Sequence, residues 1–412
     1  MTTRIEAELL IPGRGEPVRD GAVVLDGESI AYAGPASGAP LDERAEVVRA
    51  PVLMPGMWDC HGHFMGARTA DIAVTYKDPV ALRGSRIARD AAAALDAGFT
   101  SIREAGGLGV HLARAVDEGT IPGPTIYAAG AILSTTGGHG DIHDIPVHWV
   151  HDVCSTAGDF HLCDGVPEAI RGVRLQLRKN ARVIKICASG GVMSEIDHPV
   201  HQQFRDDELR AIVETAALAD RVVMAHCHGK PGIMAALEAG VKTIEHGTYL
   251  DDEACAAMVA LDALLVPTRY IVVQLMKVGT ASGMSEANFT KLSAIADTHA
   301  EALSRAHAAG VRVALGTDIF QSAAHLPVAW GANGAELPLM VEAGMSPLDA
   351  IEAATANGPD TLGPQAPQAG ILAEGYDADV ITVAADPLAD ITVLADPANI
   401  TGVWKRGSRA KG

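Results

Sequence analysis

From about residue 52 the chain alternates short apolar runs with longer alanine-rich helical patterns, and this alternation constrains the fold more than any other feature. The apolar runs cover residues 52–63, 99–104, 125–132, 183–188, 222–228, 243–247, 264–267 and 313–318. Helical patterns lie between most of them, at 83–97, 166–179, 206–219, 233–239 and 294–309. Eight strands that alternate with helices predict an α/β fold of the (β/α)8 TIM-barrel type.

Both ends of the chain have a different pattern. Residues 4–11, 22–25, 29–33 and 45–49 read as short strands separated by turns, and after helical patterns near 336–343 and 347–356 the runs at 380–383 and 391–394 read as adjacent strands. We therefore expect one small β-domain built from both the N-terminal segment (1–51) and the C-terminal segment (365–412). The barrel would then occupy residues 52–364.

The stretch at about 134–165 is much longer than an ordinary loop, which predicts a lid or binding loop. It contains five histidines together with Trp149 and Phe160. Such a density of histidine could form a third metal site, but the spacings match no ligand pattern. The aromatic residues favour a hydrophobic substrate pocket instead.

Composition excludes several classes of partner. The net charge of −19 over 412 residues provides no basic surface for nucleic acid or an anionic membrane, so a small-molecule substrate is expected. The six cysteines form no Cys-x-x-Cys pair, which argues against a zinc ribbon or a disulfide framework. With no signal-peptide pattern and no long apolar run, we expect the protein to be cytoplasmic. We also expect a symmetric homo-oligomer, the commonest kind of oligomer.

Metal-binding residue types recur where the predicted strands end. His61 and His63 lie two residues apart on one strand, so both imidazoles point to the same face. Further ligand types follow at the ends of later strands: Lys185, His226, His228, His246 and Asp318. Each residue alone is as readily a structural one. Because the carboxyl ends of barrel strands meet at one rim, the whole set predicts a metal site there.

These motifs resemble the amidohydrolase superfamily over nearly the whole chain. The resemblance is carried by Pro-Gly-Met-Trp-Asp-Cys-His-Gly-His, Val-Ile-Lys-Ile-Cys-Ala-Ser-Gly-Gly-Val, Ala-His-Cys-His-Gly, Glu-His-Gly-Thr and Gly-Thr-Asp. Within the superfamily, Thr-Gly-Gly-His-Gly-Asp at 136–141 and Leu-Cys-Asp-Gly-Val-Pro-Glu at 162–168 are similar to the prolidase and imidazolonepropionase-like branch. That branch includes Xaa-Pro dipeptidases and hydrolases of N-acyl amino acids such as ochratoxin-type amides.

The resemblance implies a centre of two divalent metal ions, Zn²⁺ in the first place with Mn²⁺, Co²⁺ or Fe²⁺ as alternatives. His61 and His63 would hold the more buried ion, and His226 and His246 the more exposed one. Lys185 would bridge both as an N-carboxylated lysine, because an ammonium group has only donors. Unmodified, it would instead neutralise a nearby carboxylate. Asp318 would bind the buried ion and act as general base.

Four residues are candidates for contact with substrate. His139 and His228 are placed to bind a carbonyl or carboxylate, although His228 could equally make a structural hydrogen bond. Tyr270 is a candidate oxyanion donor, and with His139 and Asp318 it completes the catalytic set that we expect. Arg269 is a candidate carboxylate clamp, although a surface salt bridge is the commoner fate of an arginine.

The resulting hypothesis is a metal-dependent hydrolase that cleaves the amide bond of a dipeptide or an N-acyl amino acid by a metal-activated hydroxide. Two alternatives remain. One is a cyclic-amide hydrolase or deaminase with a single metal ion, in which Lys185 would be dispensable. The other is a non-catalytic metal-binding barrel, in which Asp318 would have no use as a base.

Overall fold

The computed structural model describes residues 2–40 and 44–412. In chain order the strands of this part are β1 (Thr3–Leu10), β2 (Val18–Asp26), β3 (Ser29–Pro35), β4 (Glu46–Pro55), β5 (Met57–Ala67), β6 (Phe99–Glu104), β7 (Thr125–Ala128), β8 (Ile132–Ser134), β9 (Phe160–Leu162), β10 (Ile184–Cys187), β11 (Val223–Cys227), β12 (Thr243–His246), β13 (Leu264–Val266), β14 (Arg312–Val313), β15 (Ile319–Gln321), β16 (Val380–Val383), β17 (Ile400–Lys405) and β18 (Ser408–Lys411).

The helices of the same part are α1 (Ile72–Thr75), α2 (Val80–Asp96), α3 (Gly109–Asp117), α4 (Val147–Ala157), α5 (Val166–Arg178), α6 (Asp206–Ala217), α7 (Lys230–Ala239), α8 (Asp252–Ala260), α9 (Arg269–Val278), α10 (Glu286–Ala308), α11 (Glu336–Glu342), α12 (Pro347–Ala353) and α13 (Asn357–Asp360). Each helical pattern predicted above has its helix in this set. No helix of the described residues is long and apolar enough to span a membrane.

The parallel strands form two arcs that join into a barrel. One arc has the order β15-β5-β6-β7 and the other β14-β13-β12-β11-β10-β8-β9. At one seam the amide of Cys60 donates to the carbonyl of Leu315 at 2.7 Å, and at the other Arg182 donates to Ala128 at 2.8 Å. The predicted TIM-barrel fold is confirmed, and it brings the carboxyl ends of the parallel strands to one rim.

A separate seven-stranded sheet has the order β18-β17-β16-β4-β1-β2-β3. Its N-terminal and C-terminal strands meet where β4 pairs with β16 in antiparallel register, Leu53 opposite Thr382. The predicted small β-domain from both ends of the chain is therefore present. The run at 391–394 is not a strand, however, because Ile391–Ala395 forms a 3-10 helix whose start is capped by the Asp390 side chain.

Three predicted barrel strands differ from the structure. The run at 52–63 is divided between β4 and β5 at Gly56, where a Cβ atom would lie 2.1 Å from Thr100 Oγ1. The run at 125–132 ends at Ala128 because the chain leaves β6 there and returns as β8 beside β10. In the run at 313–318, the strand ends at Val313, and the amides of Thr317 and Asp318 instead donate to the His61 carbonyl of β5.

Candidate metal centre

Two groups of ligand atoms lie at the carboxyl ends of the barrel strands. In each group the candidate ligand atoms lie within 4.8 Å of one another; the first is His61, His63 and Asp318, and the second is His226, His228 and His246. All five histidines are buried. The predicted ligands thus meet in space, although they come from residues far apart in sequence.

The first group is held from β5 and from the segment between β14 and β15. His63 Nε2 lies 3.1 Å from Asp318 Oδ1, and His61 Nε2 lies 3.7 Å from the same oxygen. The opposite ring nitrogens are occupied, since His61 Nδ1 lies 2.7 Å from Glu245 Oε2 and His63 Nδ1 lies 2.8 Å from the Gly106 carbonyl. Both acceptors require a proton on Nδ1, so each Nε2 presents a lone pair to the centre.

The second group is oriented in the same manner, except that one of its three histidines uses the other ring nitrogen. His228 Nδ1 and His246 Nδ1 each lie 2.7 Å from a threonine hydroxyl, that of Thr248 and that of Thr268. His226 instead turns Nε2 toward the Gly190 carbonyl at 3.2 Å, which leaves Nδ1 as its ligand atom. His226 and His246 have ring centroids 4.6 Å apart.

Lys185 lies in the same place and is 2% exposed. Its Nζ is 3.1 Å from His61 Nε2. Burial lowers the pKa of Lys185, against the attraction of Glu245. A buried amine beside imidazole lone pairs is chemically suited to conversion into an anionic carbamate, which would supply oxygen ligands in place of donors.

Four of the five histidines are held in the neutral form that binds metal. Burial, together with the charge of Lys185, lowers the pKa of His61 to about 4. Burial also brings the pKa values of His226, His228 and His246 well below the ordinary histidine value. Neutral imidazole is the metal-binding form, and five imidazoles with a carboxylate form a donor set that suits Zn²⁺ and related divalent ions.

The backbone is strained at this rim. Asp318, His246 and Thr268 have φ values of 59°, 70° and 52°, in the left-handed region. A β-branched residue such as Thr268 is rarely found there, and each such residue costs about 1–3 kcal/mol. Strain of this kind is typical of functional sites, where the surrounding fold holds a side chain in place.

Glu245 contacts the first ligand group through His61 and was not predicted from the sequence. Its side chain is fully buried. It accepts hydrogen bonds from His61 Nδ1 at 2.7 Å and from Arg103 Nη2 at 2.8 and 2.9 Å. Burial opposes ionisation, but Arg103 and His61 lower the pKa of Glu245 to about 2. The available signal for Glu245 in the sequence was its charge, because it lies inside a strand that is expected to be buried.

Both ligand groups line one cavity of about 240 Å³. Apolar side chains make up most of its wall, among them Ile132, Phe160, Ile271, Leu275, Leu292 and Phe320. Phe160 comes from the long insertion, as predicted for a pocket, whereas Trp149 is 55% exposed. Among the described residues only the two groups above have metal-site geometry, so the insertion shows no third metal site there.

The predicted substrate contacts divide into two pairs. His139 and His228 line the cavity, and the His139 ring stacks on His226 with centroids 4.1 Å apart. Arg269 and Tyr270 are absent from its lining in the described chain. The Arg269 guanidinium turns to His299 Nδ1 at 2.9 Å, and the Tyr270 hydroxyl donates to the Pro327 carbonyl at 3.1 Å. Both residues lie in the first turn of helix α9, which begins at Arg269.

Comparison with known proteins establishes the class. The chain matches the model of the amidohydrolase family over residues 52–410 and belongs to that family. An ochratoxinase from Aspergillus niger is 44% identical over 427 aligned positions, which span 100% of this chain and 87% of that protein. Its crystal structure has a TM-score of 0.94 at 43% identity and covers 100% of this chain and 96% of that one.

Two further solved structures place the chain in the prolidase-like branch. A prolidase in complex with N-methylphosphonate-L-proline has a TM-score of 0.92 at 32% identity, with 100% of both chains covered. A Xaa-Pro dipeptidase with methionine in its active site has a TM-score of 0.85 at 28% identity, again with 100% of both covered. The predictions of family, fold and a hydrolase that acts on amide bonds are confirmed at this level. Members of the family generally use metal ions.

Proposed function

We propose that this chain hydrolyses the amide bond of an N-acyl amino acid or a dipeptide at a centre of two divalent metal ions, with Zn²⁺ as the first candidate. The observation that carries the proposal is the pair of buried ligand groups that share one cavity with Lys185. Each imidazole has one nitrogen engaged by the protein and the other available, which is the arrangement that metal sites require.

We propose that the ligands divide between the two ions as the family resemblance implies. His61, His63 and Asp318 would hold one ion, His226 and His246 the other, and the carbamate of Lys185 would bridge them. His228 is the third member of the second group, and we assign it to substrate. When bound, the two ions would lower the pKa of a water molecule and polarise the scissile carbonyl.

The protein's own residues perform the proton transfer and hold the substrate. Asp318 accepts the proton of the attacking water and delivers it to the leaving amine nitrogen. Burial raises the pKa of Asp318, but the hydrogen bond and charge of His63 and the charge of His61 outweigh it, so the pKa is lowered and the carboxylate stays ionised. The apolar wall excludes water and favours an aromatic or large aliphatic group on the substrate. The ochratoxinase, prolidase and dipeptidase relatives support an amide substrate.

The test is a kinetic screen of metal-loaded protein against Xaa-Pro dipeptides, Xaa-Lys and Xaa-Arg dipeptides, and aromatic N-acyl amino acids. We expect turnover of aromatic N-acyl amino acids, two metal equivalents by elemental analysis, and loss of activity on chelation that added metal reverses. His111→Asn is a suitable control, because His111 is exposed on α3. Full activity after thorough metal removal would contradict the proposal.

A further inference from the structure

The His139 ring is held by a chain of hydrogen bonds that the proposed reaction does not yet use. His139 Nδ1 lies 2.8 Å from Ser194 Oγ, and the Ser194 hydroxyl donates to Asp197 Oδ1. The ring also packs against Gly191, where a Cβ atom would lie 2.2 Å from His139 Cε1. The His139 amide also donates to Gln203 Oε1 at 3.0 Å. Both the backbone and the ring of His139 are therefore held in place.

Asp197 can only accept in this arrangement. Its Oδ2 receives the Gly191 amide at 2.8 Å and Gln203 Nε2 at 3.2 Å. Its Oδ1 receives Lys291 Nζ at 3.2 Å, and this lysine reaches across from α10. A carboxylate surrounded by four donors is ionised and has no proton to give to Ser194.

The direction of the hydrogen bonds that link His139, Ser194 and Asp197 fixes the tautomer of His139. A serine hydroxyl has one proton, and that of Ser194 is directed to Asp197. Ser194 Oγ must then accept from His139, so Nδ1 carries the proton and Nε2 carries a lone pair. His139 therefore presents an acceptor to the cavity. Its position in the sequence suggested that His139 binds a carbonyl or carboxylate of the substrate. To donate a hydrogen bond to either group, His139 would need the opposite tautomer.

We propose that His139 Nε2 accepts a hydrogen bond from the N–H of the scissile amide, and that Ser194 and Asp197 are positioning residues for this acceptor. The inference rests on the proposed function. Because His139 stacks on His226, its ring lies next to the second ligand group, where the scissile carbonyl would bind. An N-acyl amino acid with an apolar acyl group has one hydrogen-bond donor at neutral pH, its amide N–H.

An acceptor at His139 Nε2 distinguishes secondary amides from tertiary amides as substrates. A secondary amide satisfies the acceptor, whereas a tertiary amide, such as the bond in a Xaa-Pro dipeptide, has no N–H and leaves the acceptor unpaired. Sites built to bind a substrate N–H reject analogues that lack it, because a desolvated polar group then has no partner. We therefore expect secondary N-acyl amino acids to be better substrates than prolyl amides, in contrast to what the names of the prolidase-like relatives indicate.

The kinetic test compares an N-aroyl-L-phenylalanine with its N-methyl derivative on metal-loaded enzyme. The wild type is expected to prefer the secondary amide by about 10- to 100-fold in kcat/KM, the range for one lost hydrogen bond to a buried group. Ser194→Ala and Asp197→Asn keep the His139 ring in the cavity but release its tautomer, so the preference should fall toward unity. Glu214→Gln should keep it, because Glu214 is exposed on α6 and lies outside both the cavity lining and the chain of hydrogen bonds.

A second readout is independent of turnover. In protein labelled with ¹⁵N-histidine and loaded with Zn²⁺, the His139 signal, assigned by its loss in His139→Gln, should show a protonated Nδ1 and an unprotonated Nε2. Asp197→Asn should shift His139 toward the other tautomer. Ser194→Thr keeps the hydroxyl group and should therefore show the wild-type pattern.

A proton on Nε2 in the wild type, or a preference for the secondary amide that Ser194→Ala and Asp197→Asn leave intact, would overturn the inference. Failure to hydrolyse either amide would instead overturn the proposed function, and the labelled spectra would still decide the tautomer.

Discussion

Replacing Glu245 with glutamine should damage both folding and metal binding, although the residue touches neither substrate nor ion. Its two oxygens serve three donors, namely Arg103 Nη2, His61 Nδ1 and the Thr243 hydroxyl. In glutamine one oxygen becomes an NH₂ group, so at least one donor faces another donor. Arg103 is also fully buried, and without Glu245 it has only neutral partners, the Cys60 carbonyl and Thr243 Oγ1.

The expected losses of folding stability and of metal affinity follow from this geometry. Leaving one member of a buried ion pair without its counter-charge costs about 3–5 kcal/mol. For metal affinity, loss of a hydrogen bond that orients a ligand histidine costs about 10- to 100-fold. Here the bond concerned fixes His61 with Nε2 toward the centre, and an NH₂ group facing Nδ1 would invert that tautomer.

The assay pairs urea unfolding of the metal-free protein with competitive chelator titration of Zn²⁺. Glu6→Gln is the matched control, because Glu6 pairs with Arg4 at the same 2.8 Å but its side chain is 27% exposed. A partly exposed pair of this kind contributes about 0–1 kcal/mol, because solvent screens it. If Glu245→Gln lowered the free energy of unfolding by no more than Glu6→Gln and left Zn²⁺ affinity unchanged, the reasoning about this buried network would be wrong.

Three further predictions concern the ligand groups and the pH dependence of stability. His246→Asn should lose about one of two metal equivalents by elemental analysis, whereas His228→Asn should keep both and show a raised KM; loss of metal from His228→Asn would make His228 a ligand. Lys185→Ala should abolish the bridged centre, and a carbamate signal in ¹³C NMR after growth or incubation with labelled bicarbonate should be present in the wild type and absent from the variant; unchanged metal content and turnover would refute the bridge. Glu104 is buried with Oε2 unpartnered among the described residues, and burial raises its pKa to about 8. Because the folded state holds this proton more tightly than the unfolded state, stability should fall as pH rises from about 4.5 to 8, by up to about 1.4 kcal/mol per pH unit. Glu104→Gln should flatten that slope in urea unfolding; an unaltered slope would assign the effect to other groups.

Part of the fold was predictable because periodicity is a local property of the chain. The alternation of apolar runs and helical patterns indicated the barrel, and the change of pattern at both ends indicated the small β-domain. The errors arose where local pattern and pairing partner disagree. Residues 391–394 have the composition of a strand, yet the Asp390 cap and the neighbouring elements hold them in a 3-10 helix.

The sequence by itself determined which chemistry this protein can perform. His61, His63, Lys185, His226, His246 and Asp318 could be named from residue type and their place at predicted strand ends, because a barrel brings those ends to one rim. Type and spacing do not, however, specify the direction of a side chain that follows a strand. That is why the sequence did not show that the Arg269 side chain turns to His299 and the Tyr270 hydroxyl to Pro327.

Only the tertiary structure decided what surrounds the candidate ligands. It placed His228 with His226 and His246, joined Glu245 to His61 and Arg103, and gave His139 an acceptor nitrogen through Ser194 and Asp197. These relations depend on contacts between residues distant in sequence and on the direction of individual protons. No local pattern encodes them, because each is set by which donors and acceptors the folded chain brings within about 3 Å.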